Sequence, residues 1–301
     1  SFYEGCDFWV PPIFSDELES LVKAINPVFE NAEAEFYIAK KDGVTVGRIA
    51  AMVNWVEIEE QKKNKLRFGW YDTIDDLEVS KKLLESVIEF GKKRKLEFVD
   101  GPVGFSNMDK AGLLIEGYEE LNTMITWYHY PYQKGHLKKL GFSKLAEWVE
   151  YKIKIFSAED APEKVKKFSK IIQQRYELKV LNFKSRKEII PYVDKMFELL
   201  NVTYSNLQTY VTIKQYQIDF YKEKFIKYIH PDFIKCCLDK DHNLIAFLIT
   251  MPSFSRALKK INGKMGLMGY LRLFKAQHFN DRVSLYFCLL YTSDAADERH
   301  C

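Results

Sequence analysis

Two stretches of the chain share one plan. In KDGVTVGRIAAMV (41–53) and KDHNLIAFLITMP (240–252) a Lys-Asp turn feeds a run rich in β-branched and aliphatic residues. Each is preceded by another such run, 35–40 in the first case and 233–238 in the second. Period-two alternation around a turn of this chemistry specifies a β-hairpin. Two hairpins about 200 residues apart suggest an internal duplication and exclude an all-helical fold.

The flanking elements extend the pattern. In the first half, 66–71 reads as a third strand. Val79, Leu83, Val87 and Phe90 fall on one helical face and predict a helix over 78–94. A strand is expected at 98–103, and a short helix at 132–140 closed by Gly141. The run 147–156 alternates strictly: Val149, Tyr151, Ile153 and Ile155 on one face, Glu150, Lys152 and Lys154 on the other. It predicts a half-exposed antiparallel strand. The polar stretch SAEDAPE (157–163) marks a domain boundary. Beyond it, helices are expected at 164–176, 186–201 and 212–228, with strands at 178–183 and 283–287. The 301 residues suffice for roughly two domains, 1–157 and 158–287.

Four glycines and one proline fall within 101–117 and let the backbone lie close to another group. Asn107, Asp109 and Glu116 sit in this loop; Trp127, Tyr128, His129, Tyr130 and Tyr132 follow. Polar groups on such a loop beside aromatic walls suit a small-molecule pocket. Asp109 and Glu116 each have the chemistry of a general base toward an amine. Glu116 follows Leu113-Leu114-Ile115, so partial burial and a pKa raised by desolvation are expected, and it is the preferred candidate. His129, walled by tyrosines, has the chemistry of a proton shuttle, with Tyr130 beside it. The plainer alternatives are surface acids and a packed histidine.

Composition removes several function classes. Forty-five basic and 42 acidic residues are interspersed, for a net charge of +3, and no nucleic-acid-binding motif is present. Five cysteines without C-x-x-C and six histidines without H-x-x-x-H argue against a disulfide framework or a metal site. A cytoplasmic location is expected. One stretch stands apart: GKMGLMGYLRLFKAQH (263–278) is apolar nearly all round, with Lys264, Arg272 and Lys275 among the apolar residues. Such a segment lies in a membrane interface, lines an acyl tunnel, or forms a buried core helix. Peripheral contact with the inner membrane through 264–276 is the expectation retained.

Several motifs recur together: Trp9-Val10-Pro11-Pro12, Arg67-Phe68-Gly69-Trp70, Gly101-Pro102-Val103-Gly104-Phe105, Glu116-Gly117-Tyr118, Tyr130-Pro131-Tyr132 and Ile249-Thr250-Met251-Pro252-Ser253. Gly135-His136-Leu137-Lys138-Lys139-Leu140-Gly141-Phe142 adds a late helix. With these motifs the chain resembles, over residues 3–287, a bacterial group of tandem GNAT-like proteins of the acyl-CoA N-acyltransferase superfamily. Bacterial ceramide synthases, also GNAT-like, lie near this group. The resemblance implies an α+β fold: two GNAT-like domains, mixed and mostly antiparallel sheets flanked by helices, the second domain incomplete. It implies acetyl-CoA or a longer acyl-CoA as co-substrate, no metal, and a small-molecule or lipid-like amine as acceptor. By position, Thr250 and Ser253 would line the acyl site and Tyr204 would protonate the departing thiolate. A non-catalytic GNAT-like binding module is the alternative.

In GNAT enzymes the CoA pyrophosphate rests on a glycine-containing turn at a helix N-terminus. The first half offers Asp72-Thr73-Ile74-Asp75-Asp76 there, whose three carboxylates would cap a helix but repel a diphosphate. The cofactor-binding turn is therefore expected after Phe287. There the pattern gives way to 288–301, a tail that resembles translated sequencing adapter. With no initiator Met, the expectation is a fragment truncated at both ends and itself inactive.

Overall fold

The computed structural model describes residues 2–155, 157–207, 209–225 and 229–290. It is a mixed α+β fold with two four-stranded sheets flanked by helices. β1 (Ala32–Lys41) and β2 (Val44–Asn54) form the first hairpin, with Asp42 and Gly43 at positive φ in its turn. β3 (Lys65–Thr73) runs antiparallel to β2. β4 (Phe98–Asp100) pairs parallel to β3 through 65–67 against 98–100. The helices of this region are α1 (Phe14–Leu21), α2 (Trp55–Glu59), α3 (Leu77–Lys93) and α4 (Pro131–Lys139).

Strand parity explains how this sheet fills two cores. On β2, Ile49, Ala51 and Val53 face one cluster, which also holds Leu83, Leu84, Val87 and Phe90 of α3. Ala50 and Met52 face the other, with Val28, Ala32 and Phe105. That is the two-residue period of a strand buried on both faces. On β3, Leu66 and Phe68 join the α3 side, so residue 70 should follow them. Instead Trp70 joins the opposite cluster and Tyr71 takes its place. The register with β2 slips by one between Arg48 and Ala50, and Trp70 has φ +47°. A β-bulge thus turns the indole onto the face that carries Arg67 and Gly69.

In the second sheet β5 (Lys179–Asn182) pairs antiparallel with β6 (Ile234–Leu238). β6 forms the second hairpin with β7 (Leu244–Pro252), and β8 (Val283–Leu290) lies beside β7. α5 (Glu163–Arg175), α6 (Arg186–Tyr204) and α7 (Gln215–Phe225) precede the hairpin; α8 (Ser255–Ile261) and α9 (Leu267–His278) follow it. Among the described residues, one compact unit comprises 2–147, 209–212 and 252–281, and a second comprises 148–207, 213–251 and 282–290. A linear division at 157 follows the composition; the compact units interleave. Within the first unit, Val10 packs with Leu258 and Ile261 of α8. The Phe14 N–H donates to Gly263 O (3.0 Å), and Lys259 Nζ to Cys6 O (2.7 Å).

One expectation is corrected. The run 147–155 is not a strand, and Phe156 lies outside the described residues. Trp148, Val149, Tyr151, Ile153 and Ile155 are all exposed. Alternation makes a strand only where a neighbouring edge supplies the ladder, and no described strand pairs with this run. Of the alternatives for 263–278, a fully buried core helix is removed: Leu267, Met268, Tyr270, Leu271 and Phe274 are exposed. β8 extends through Cys288, Leu289 and Leu290; the rest of the expected tail, 291–301, lies outside the described residues.

Candidate functional site

The glycine loop forms a finger laid across β3. Val103 bridges Ala111, the Gly104 N–H donates to Lys110 O (3.0 Å), and the Gly112 N–H to Pro102 O (2.8 Å). A Cβ on Gly69 would overlap the Val103 carbonyl, and one on Gly101 would overlap that of Phe68. These glycines therefore permit close backbone approach. Asp109 closes the tip by accepting the Ser106 N–H (3.1 Å). Burial pushes its carboxyl up to about 6, against the backbone N–H groups of Ser106 and Phe105 and the charge of Arg67.

His129 is buried and held down to about 4 by desolvation, so its imidazole is neutral at neutral pH. Its Nδ1 accepts the Leu114 N–H (3.2 Å), which leaves the proton on Nε2. The aromatic wall is a stack: Tyr3 lies between Trp9 and Tyr130, centroids 5.3 Å away on each side, and Tyr130 stacks on Tyr132 at 5.7 Å. The Tyr3 hydroxyl donates to Asp72 Oδ1 (2.5 Å), whose Oδ2 accepts from Arg48 Nε (2.6 Å). Trp70, turned by the bulge, donates Nε1–H to Glu17 (2.7 Å).

Beneath the loop lies a buried ionic network. Lys65 Nζ reaches Asp100 (2.8 Å) and Glu57 (2.9 Å), and Arg67 Nε reaches Glu57 (2.8 Å). Arg67 also donates to Gly104 O (3.1 Å) and Thr209 O (2.8 Å). Arg67 and Lys65 offset the burial of Glu57 and hold its carboxyl below the usual range. Two cations and two anions balance, and each is hydrogen-bonded, the condition for burying charge.

Sequence reasoning missed Lys110. The residue is half-buried, and burial lowers its pKa while Glu17 and Asp72 oppose the shift. Those carboxylates are engaged by Trp70, Tyr3 and Arg48, and no described residue lies within ion-pair distance of the Lys110 amine. A lysine adjoining an acid inside a glycine loop was the available signal. The rest of the polar cluster, Arg48, Asp72 and Glu17, comes from separate elements and carries no local motif.

The first helix N-terminus after β3 is already occupied. Asp76 accepts the Glu78 N–H (3.0 Å) as N-cap of α3, and Asp75 lies 3.1 Å from His136 Nε2. His136 Nδ1 is 2.8 Å from Ser80 Oγ, which accepts from the Tyr71 hydroxyl (2.9 Å). Ser80, His136 and Asp75 mimic a nucleophile–base–acid chain, but Ser80 is fully buried, so a substrate carbonyl has no access to it.

Of the residues singled out from sequence, Asn107, Asp109, Glu116, His129, Tyr130 and Ser253 belong to the first unit, and Tyr204 and Thr250 to the second. Asn107 Oδ1 is buried and has no hydrogen-bond partner among the described residues. Glu116 is exposed, contrary to the burial expected of it: Leu113-Leu114-Ile115 are only half-buried and do not carry it inward. Tyr130 walls a shallow, open depression of ≈ 490 Å³ with Glu4, Asp7, Tyr118, Glu119 and Tyr128. Ser253 O accepts from the Asn280 side chain, and Thr250 Oγ1 donates to Phe233 O (3.2 Å). Tyr204 ends α6, its phenol raised by burial and by Cys288. No cluster of metal-ligating side chains occurs among the described residues.

No protein-family profile matches the chain. It is 25% identical over 277 residues to Protein YghO of Escherichia coli (strain K12), covering 91% of this chain and 68% of that protein. It is also 25% identical over 146 residues to a bacterial ceramide synthase of Caulobacter vibrioides (strain NA1000 / CB15N), covering 48% of this chain and 38% of that enzyme.

Proposed function

We propose that the chain is a GNAT-type N-acyltransferase that moves an acyl group from acetyl-CoA or a longer acyl-CoA to a lipid-like amine. The similarity to a ceramide synthase carries the reading, since ceramide is an amide of a long-chain amine. In support, β3 and β4 pair at only three positions, and the finger loop begins where they end. Asp109, with its carboxyl near 6, is ionised at neutral pH yet basic enough to accept a proton. It takes one proton from the substrate ammonium. The freed amine attacks the thioester carbonyl carbon, the C–N bond forms and the C–S bond breaks. The second nitrogen proton leaves with the thiolate as free CoA thiol. His129, buried and neutral, acts behind the loop, where its Nδ1 holds the Leu114 N–H and fixes the backbone that follows Asp109. Orienting the two substrates supplies most of the gain.

Differential scanning fluorimetry with acetyl-CoA and palmitoyl-CoA, followed by mass spectrometry of products from a sphingoid base, tests this reading. The expected results are a thermal shift and a new amide, with Asp109→Asn lowering the rate at least about 100-fold. The second reading, a GNAT-like binding module without CoA, is favoured by one observation: Asp76 occupies the N-terminus of α3. No thermal shift with either thioester selects it.

A further inference from the structure

The face of α9 that looks outward is apolar, and the chain around it carries no acid. Between Asp241 and Asp281 there is no Asp or Glu, while Arg256, Lys259, Lys260, Lys264, Arg272 and Lys275 fall in the same interval. In a chain of 45 basic and 42 acidic residues this is a strong local departure. At 3.6 residues per turn, Leu267, Tyr270, Leu271 and Phe274 share one side of α9, and Gly269 and Leu273 share the opposite side. Leu273 packs against the Val10, Leu258 and Ile261 cluster, and Gly269 is buried. The outward residues are 54–78% exposed, and Phe279, just past the helix, is 75% exposed. Lys275 and Arg272 flank this stripe, and Lys264 precedes it.

Arg256 is paired with Asp281, and Lys259 and Arg272 are held by the carbonyls of Cys6 and Lys260, but Lys260, Lys264 and Lys275 are exposed, and a folded neutral partner would leave them without a counter-charge. We infer that α9 and its basic flank form a docking surface for an anionic lipid bilayer, with Leu267, Tyr270, Leu271 and Phe274 at the acyl boundary and the lysines among the headgroups. Twelve residues reach about 18 Å along a helix, short of a hydrocarbon core. No helix among the described residues is long and apolar enough to cross a membrane, so the contact is interfacial. It does not depend on acyl transfer.

Co-sedimentation of the full chain with phosphatidylglycerol-containing vesicles and with pure phosphatidylcholine vesicles tests the inference without any acyl donor. Binding is expected to be at least tenfold stronger to the anionic vesicles and to weaken with salt. Leu271→Glu with Phe274→Glu should lower it at least tenfold; Lys264→Gln with Lys275→Gln should lower it about fivefold per lysine. Unchanged melting temperatures would show that these exposed substitutions leave the fold intact. Equal binding to both vesicle types, or none, overturns the inference. So does a concentration-dependent dimer that Leu271→Glu abolishes, which would make the face a contact between copies of the chain.

Discussion

The two sheets start from the same hairpin and end as different objects. In the first, β3 is buried at all nine positions, including Lys65, Arg67 and Asp72. In the second, β8 leaves Val283, Leu285 and Leu290 exposed, and only alternate positions of β6 are buried. The fourth strand is also added on opposite sides. β4 extends the first sheet beyond β3, whereas β5 joins the second beside β6, at the outer edge of the hairpin. A repeated local pattern thus fixes a repeated supersecondary unit but not its surroundings. The surroundings decide whether charges can be stored inside.

The largest expected effect tests that storage. Glu57→Gln leaves Lys65 and Arg67 under-compensated in the interior and is expected to cost about 3–5 kcal/mol. Lys179→Ala, on exposed β5, should stay within about 0.5 kcal/mol. Equal losses in urea melts of the two variants would erase the distinction between the sheets. Next is Gly69→Ala, whose Cβ must displace the Val103 carbonyl; a loss of about 1–3 kcal/mol is expected, with the finger loop becoming sensitive to limited proteolysis.

A smaller effect concerns pH. The folded pKa of Asp109, about 6, lies above its ordinary 3.8. Its contribution to stability is full below the ordinary value and is lost as pH rises through 6. His129, held at about 4 against 6.5, contributes fully above 6.5 and loses that contribution as pH falls through 4. The two slopes oppose each other over this window. Asp109→Asn is expected to stabilise by about 1–2 kcal/mol at pH 7, discounted because the residue is half-buried. It should also expose the acid lability due to His129, read as a melting temperature falling from pH 6.5 to pH 4. In the second sheet, burial pushes the Cys236 thiol up to about 12, so Cys236→Ala should add no pH dependence between pH 4 and 8. The smallest effect is Leu285→Thr on exposed β8, expected within about 0.5 kcal/mol.

Both hairpins were legible because alternation and turn chemistry are local. α3 was legible from one stripe of four residues. The strand expected at 147–156 failed because its alternation is a local property and its pairing is not. Asp109, His129 and the glycine approach were visible as residue types in a loop. The bulge at Trp70 was not, since nothing in Phe68-Gly69-Trp70-Tyr71 announces a change of parity. Lys110 had only its place beside Asp109 to mark it, and the Arg48–Asp72–Tyr3 cluster required knowing which distant segments meet. Burial separated Glu116 from Asp109, which the sequence had ranked the other way.

The hydrogen bond from Arg67 to Thr209 spans 142 positions of the chain, and that from Lys259 to Cys6 spans 253. During synthesis the guanidinium is made long before the carbonyl that completes its shell. Glu57 and the Gly104 carbonyl meet that cation early, so what the early half lacks until the late segments emerge is one carbonyl acceptor, not a counter-charge. A gene cut at the composition boundary would strand the first unit, because 209–212 and 252–281 belong to it and bring Leu258 and Ile261 to its core.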